Sequence, residues 1–171
     1  MLYIVPTPVG NLEDITFRAL RVLKEVDLIL AEDTRTSSVL LKHYDIHTPL
    51  KSHHKFNEHE TSDDMAERIA AGMTVALISD AGTPCISDPG NELIKAAVAE
   101  GIKVVGIPGC CAAVNALSIS GFELSSFLFY GFFPRENPDR RKLLEQIRKG
   151  NTRTFAFYES PKRIMDLVDF F

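Results

Sequence analysis

Apolar and polar positions alternate along the chain in blocks. Short continuous apolar runs are each followed by a stretch with helical spacing. "LYIVP" reads as a first strand closed by Pro6 and Pro8, and "DITFRALRVLKEV" carries apolar residues at helical spacing with Asp14 as the N-cap. "DLILA" reads as a second strand and "SSVLLKHY" as a short helix; residues 44–60 are polar and His-rich and read as a loop. "SDDMAERIAAG" opens on capping residues and stops at glycine, as helices do. "TVALI" and "KVVGI" read as the third and fourth strands, with "ELIKAAVAEG" as a helix between them. "PGCCAAVNALSIS" reads as a helix rich in small residues. "FLFYGF" and "TFAFYE" read as the fifth and sixth strands, separated by the helix "PDRRKLLEQIRKG" and followed by "PKRIMDLVDFF".

Alternating strands and helices with continuously apolar strands predict an α/β fold, a mostly parallel sheet flanked by helices. The segment "GFFPRENP" marks a boundary between an N-terminal α/β domain (1–130) and the start of a second α/β domain (131–171). Some 35 residues beyond that segment are too few for a core of their own, so the chain is expected to end inside its second domain.

In such sheets ligands sit outside the carboxyl ends of the strands. The strand ends here carry "PTPVGN", "EDTRT", "SDAGTP", "PGCC" and "YESPKR". None is a G-x-G-x-x-G or G-x-x-x-x-G-K-[ST] loop, which argues against dinucleotides and nucleoside triphosphates. "SDAGTP" offers backbone groups, hydroxyls and one carboxylate, which suit a nucleoside with a cationic or amino-acid end. A plain structural turn is the alternative.

Charge and cysteine content narrow the classes further. The 171 residues carry a net charge of −4, against a generally basic nucleic-acid binder. Residues 135–171, however, hold nine Lys+Arg and six Asp+Glu, a local excess that can serve phosphate backbones or simply form a solvated helix face. Three cysteines, two adjacent, are no disulfide framework and fit a reducing, cytoplasmic setting; Cys110 and Cys111 read as small packing residues. No signal peptide is evident, and no apolar run approaches the roughly 18 residues that span a bilayer, so no membrane partner is expected. "SHHKFNEHE" (52–60) lacks a helical H-x-x-x-H, so no metal is expected there, and a solvated loop is the plain reading.

"VPTPVGNLEDITFRAL", "AEDTRTSSVLLKHY", "SDAGTPCISDPG", "GFFPR" and "FYESPKR" together resemble the ribosomal RNA small-subunit methyltransferase I family, of tetrapyrrole-methylase fold, from Leu2 to about Arg163. The resemblance implies S-adenosylmethionine as cofactor, 2′-O-methylation of a cytidine in small-subunit ribosomal RNA, and a homodimer with cofactor held between two domains. By motif, cofactor contacts fall on Pro8, Ser79, Asp80, Ala81, Gly82, Thr83, Cys111, Ala112, Phe157 and Tyr158. The family usually has glycine where this chain has Cys85, and P-G-P-S-A or P-G-A-T-A at 108–112.

A ribose hydroxyl needs a proton acceptor to attack at neutral pH. The candidates at strand ends are Glu32, Asp33 and Glu159. Asp33 is read as the acceptor with Arg35 on a phosphate, and a loop-shaping Asp–Arg pair is the alternative. Arg135, Arg140, Arg141, Lys142 and Arg163 are assigned to RNA phosphates. Two other functions stay open: a tetrapyrrole small-molecule methylase, and a non-catalytic adenosyl-ligand or RNA-binding module.

Overall fold

The computed structural model describes residues 1–54 and 58–171. They form two compact units, Met1–Cys111 and Ala112–Phe171. This division lies upstream of the 131–138 segment because α5 (Ala112–Ser118) packs on β7 (Thr154–Tyr158).

The first unit is built on a five-stranded sheet in which every strand pair is parallel. β1 (Leu2–Ile4), β2 (Leu28–Ala31), β3 (Leu50–Ser52), β4 (Val75–Ile78) and β5 (Val104–Gly106) lie in the order β3-β2-β4-β1-β5. Central β4 is buried along its whole length, which is why it reads as an unbroken apolar run. Its alternate side chains feed two cores. Ala76 and Ile78 join Val22, Leu23, Ile29 and Leu40 beneath α1 (Phe17–Glu25) and α2 (Thr34–His43). Val75 and Leu77 join Leu2, Leu30, Met65, Ile69, Leu93 and Ala97 beneath α3 (Glu58–Ala70) and α4 (Asn91–Ala99).

Two local expectations are corrected. Thr16, not Asp14, caps α1, its hydroxyl accepting from the Ala19 amide at 3.1 Å; Asp14 lies in a 3-10 turn over Leu12–Asp14. The stretch 44–60, read as loop, contains β3, making five strands in this sheet where the apolar runs mark four. An edge strand bonded on one side needs backbone pairing rather than an apolar run. The Ile29 amide donates to Pro49 O and the His53 amide to Ala31 O, both at 2.8 Å. Of "SHHKFNEHE", residues 55–57 lie outside the described ones.

The second unit pairs β6 (Phe127–Phe132) parallel to β7, with α6 (Asn137–Lys149) between them in sequence and α7 (Ile164–Phe170) after. Its core is Phe133, Leu143 and Leu167, with Tyr130, Ile147, Phe157 and Phe170 packed around them.

Candidate functional site

The loops at the carboxyl ends of β1 and β4 are tied together by backbone and hydroxyl bonds. Thr7 and Gly82 form an isolated antiparallel bridge, with reciprocal N–H···O bonds of 2.9 and 3.0 Å. The buried Thr7 hydroxyl donates to Ser79 O at 2.9 Å, and Ser79 donates to Gly82 O at 3.1 Å. Thr83 donates to Cys110 O at 2.8 Å, which brings in the loop after β5. Gly82 has φ +92°, and a Cβ there would lie in ordinary contact, 3.6 Å from Val9 Cγ2 and 3.9 Å from Cys110 O. Ala81 and Asp80 are exposed, Pro8 is buried and Cys111 is half-buried in this unit. Ala112, Phe157 and Tyr158 belong to the second unit, where they line a cavity of about 490 Å³ with Phe122, Phe155 and Glu159.

The loop continues under strain. Cys85 (φ +70°) and Ser87 (φ +66°) hold left-handed backbone, which costs a non-glycine residue about 1 kcal/mol each. Gly90 (φ +123°) then opens α4. Cys85 thus keeps the conformation for which glycine is the low-cost residue.

Four carboxylates gather at the ends of β2 and β4. Asp33 caps α2, accepting from the Arg35 amide at 2.8 Å, and also grips the Arg35 guanidinium, with Nη2 2.7 Å from Oδ2. Those hydrogen bonds to Arg35 pull the Asp33 carboxyl down to about 2. The Asp33 amide donates to Asp80 Oδ1 at 3.2 Å. Glu32 behaves oppositely. Burial first, then Asp80, Asp88 and Asp33, push its carboxyl above the usual range, against a smaller pull from His54. Asp88 is pushed to about 6, by burial and then by Asp80. Asp33 is thus engaged by the start of α2 and by Arg35, while the neighbouring Glu32 carboxyl holds its proton more tightly than an ordinary carboxylate. Asp88 went unassigned in the sequence; its only signal was its place between two turn-forming segments, "CIS" and "PG".

The second unit sorts the remaining candidates. Glu159 accepts from the Ser160 amide at 2.7 Å and from Arg163 Nε at 2.8 Å, and these bonds hold it below the usual range. It is a poor base, and Arg163 is engaged by it rather than open to phosphate. Arg140 donates to Pro134 O at 2.8 Å, and its guanidinium lies over the rings of Phe133 and Phe170 at 5.7 and 5.3 Å. Its first role is packing. Arg135, Arg141 and Lys142 are exposed.

Residues 1–171 match the family model for tetrapyrrole (corrin/porphyrin) methylases. The chain belongs to that methylase family. It is 52% identical over 168 residues to "Ribosomal RNA small subunit methyltransferase I" of Halalkalibacterium halodurans, covering 98% of this chain and 58% of that protein. The protein of the same name from Haemophilus influenzae is 49% identical over 99% of this chain and 59% of its own length. The chain thus spans somewhat under three-fifths of the curated relatives it matches. Among solved structures, diphthine synthase aligns at TM-score 0.72 and 15% identity, over 99% of this chain and 71% of its own. Uroporphyrin-III-C-methyltransferase from Thermus thermophilus aligns at 0.58 and 24%, over 78% and 59%. Both show the tetrapyrrole-methylase fold.

The raised carboxyls of this methylase domain have a measurable consequence. Asp88 ionises in the folded chain near 6 and in the unfolded chain near 3.8. Folding therefore favours its protonated form. Its ionisation costs stability above pH about 6, and the cost disappears as the pH falls toward about 4. The full shift corresponds to about 3 kcal/mol, and partial exposure screens it to about 1. Asp88→Asn is expected to raise the urea midpoint at pH 8 and to lose most of that gain by about pH 4. An equal gain at both pH values would show that ionisation is not the cause.

Proposed function

We propose that this chain is the greater part of an S-adenosylmethionine-dependent methyltransferase that methylates a cytidine 2′-hydroxyl in small-subunit ribosomal RNA. It would act in the cytoplasm and as a homodimer. The observation that carries this reading is the near-50% identity, along almost the whole chain, to relatives named for ribosomal RNA methylation. Among the described residues, no helix is long and apolar enough to cross a membrane. The runner-up, a tetrapyrrole methylase, draws on the family match and on fold likeness to uroporphyrin-III-C-methyltransferase at 24% identity.

The residues fit a cationic cofactor. Glu32 and Asp88 are both held in an environment that resists their ionisation, and a positive charge nearby would relieve it. Ser79, Asp80, Ala81, Gly82 and Thr83 would hold the cofactor, with Pro8 and Cys111 in the same unit. Ala112, Phe157 and Tyr158, which the family motifs also assign to the cofactor, line the cavity of the second unit. When bound, the cofactor supplies an activated methyl group. Glu32 accepts the proton from the attacking hydroxyl, its raised carboxyl pKa bringing it nearer to neutral pH. Asp33 fixes the start of α2 and aims Arg35, 90% exposed, outward toward phosphate.

Two measurements test this. Gly82→Ala places a methyl group in ordinary contact with its surroundings, so the domain should stay folded at a strain of about 1 kcal/mol. That methyl occupies the approach to the loop, and calorimetric affinity for S-adenosylmethionine should fall at least about tenfold. Unchanged affinity would remove the cofactor from this loop. On the acceptor side, changing Arg135, Arg141 and Lys142 together to Ala should lower the salt slope of RNA binding by about 2, at roughly 0.7 per single-strand phosphate released. An unaltered slope would return these residues to a solvated helix face and bring the tetrapyrrole reading forward.

A further inference from the structure

A cavity of about 320 Å³ lies on the second unit between β6 and α6, and none of its lining residues is assigned above to cofactor or catalysis. Tyr130, Phe132, Pro134 and Leu143 form its apolar part; Asp139, Lys142 and Gln146 form its polar part. Its components divide by exposure. Leu143 is buried and belongs to the core. Tyr130 is stacked on Phe157 at 5.4 Å between ring centroids, so its position is fixed by packing. Phe132 is different. It is 55% exposed, although it sits at the end of a strand and is braced edge-on by Tyr158 at 5.7 Å. A large aromatic ring held rigid yet open to solvent costs little entropy to use as a contact surface.

The charge around this ring is also distinctive. Residues 135–149 hold six Lys+Arg and three Asp+Glu in a chain whose net charge is −4. Arg140 is turned to the core, as described. Lys142 lines the cavity itself, and Arg135 and Arg141 are exposed on the same short segment. An exposed aromatic with cations beside it is the composition of sites that stack a nucleobase and hold its phosphate. Gln146 adds an amide able both to donate to and to accept from a base edge.

The geometry points to a nucleobase-stacking subsite in this cavity. An unpaired base of the RNA substrate lies against Phe132, Gln146 meets its edge, and Lys142 takes an adjoining phosphate. The inference rests on the RNA reading above and adds to it. It assigns part of RNA recognition to stacking, where the proposed function invokes only phosphate contacts. A duplex cannot offer a base to this ring without unpairing, so the subsite selects single-stranded or looped RNA.

The test uses the full chain and fluorescent single-stranded oligoribonucleotides copied from small-subunit ribosomal RNA, with and without an abasic position scanned along them. Phe132→Leu keeps an apolar residue at the strand end and removes the ring. It should weaken binding about 5- to 30-fold, as expected when one stacked base is lost. At one position the abasic oligonucleotide should bind the wild type as weakly as the intact one binds the variant, and the variant should not distinguish the two. The circular dichroism spectrum and urea midpoint of Phe132→Leu should stay at wild-type values, which shows that the fold persists. Gln146→Ala should weaken the intact oligonucleotide only. Equal affinity of wild type and Phe132→Leu overturns the subsite while leaving the methyltransferase reading intact. A loss in Phe132→Leu that is the same at every abasic position also overturns it, because the ring would then act through the fold. A wild-type chain with no measurable RNA affinity overturns the RNA reading itself, and the subsite with it.

Discussion

Gly90→Ala is expected to destabilise the first unit by about 3 kcal/mol. Two effects combine there. Gly90 has φ +123°, and any L residue at that angle is strained by roughly 1–2 kcal/mol. The added methyl would also meet Leu77 Cδ2 at 2.4 Å and Cys85 Sγ at 2.8 Å. Leu77 cannot swing aside. It is 1% exposed and packed among Leu2, Leu30, Met65 and Leu93, and forcing a methyl group into such a core costs about 1–3 kcal/mol. Gly72 is the internal control. It has a similar φ (+113°), but a Cβ there meets nothing within 4 Å, so Gly72→Ala should show the backbone cost alone. Urea unfolding of both variants separates the effects. If Gly90→Ala costs no more than Gly72→Ala, the packing argument fails.

The same position shows where sequence reading stopped. The glycine before α4 is visible as a helix-start signal, but nothing in "SDPGNELI" says that the methyl of an alanine would strike a core leucine. The strands of the first sheet were legible because their burial on both faces leaves continuous apolar runs, as in Val75–Ile78. β3 was not, because Leu50–Ser52 is held by backbone bonds at an edge and its side chains are only partly covered. The loops of the candidate site were legible as loops, since glycine, proline and hydroxyls at strand ends mark them. The roles of charged residues within them were not. Asp33 and Glu32 are neighbours in sequence, yet one carboxyl is drawn down by Arg35 and the other pushed up by burial and by Asp80. Arg140 and Arg141 are equally adjacent, yet one lies over two aromatic rings and the other faces solvent. Charge runs in a sequence give the number of cations but not the direction in which each points.

Phe133→Ala is expected to cost the second unit about 3–5 kcal/mol, the usual range for deleting a buried aromatic side chain. The ring is 2% exposed and is the hub of that unit's core. Phe157, Phe171 and Phe170 lie around it at 5.1, 5.5 and 6.2 Å, and the Arg140 guanidinium lies over it at 5.7 Å. Leu143 and Leu167 are the buried residues that share its cluster, so the variant removes the largest side chain of that core. A unit of this size buries little surface and has few kcal/mol in reserve. The loss should therefore appear as local unfolding rather than as a small shift in a global transition. Hydrogen exchange reads this directly: amides of β6, β7 and α6 should exchange at least about a hundredfold faster in Phe133→Ala, while those of β1 and β4 change little. Phe133→Leu, which keeps most of the volume, should cost under about 1.5 kcal/mol and leave exchange close to wild type. The variant also checks the role given to Arg140. Once the ring beneath it is gone, Arg140→Ala should add less destabilisation in the Phe133→Ala background than in the wild type, the remainder reflecting its contacts with Phe170 and Pro134 O. Full additivity would mean that Arg140 is not coupled to the Phe133 ring and packs on Phe170 instead.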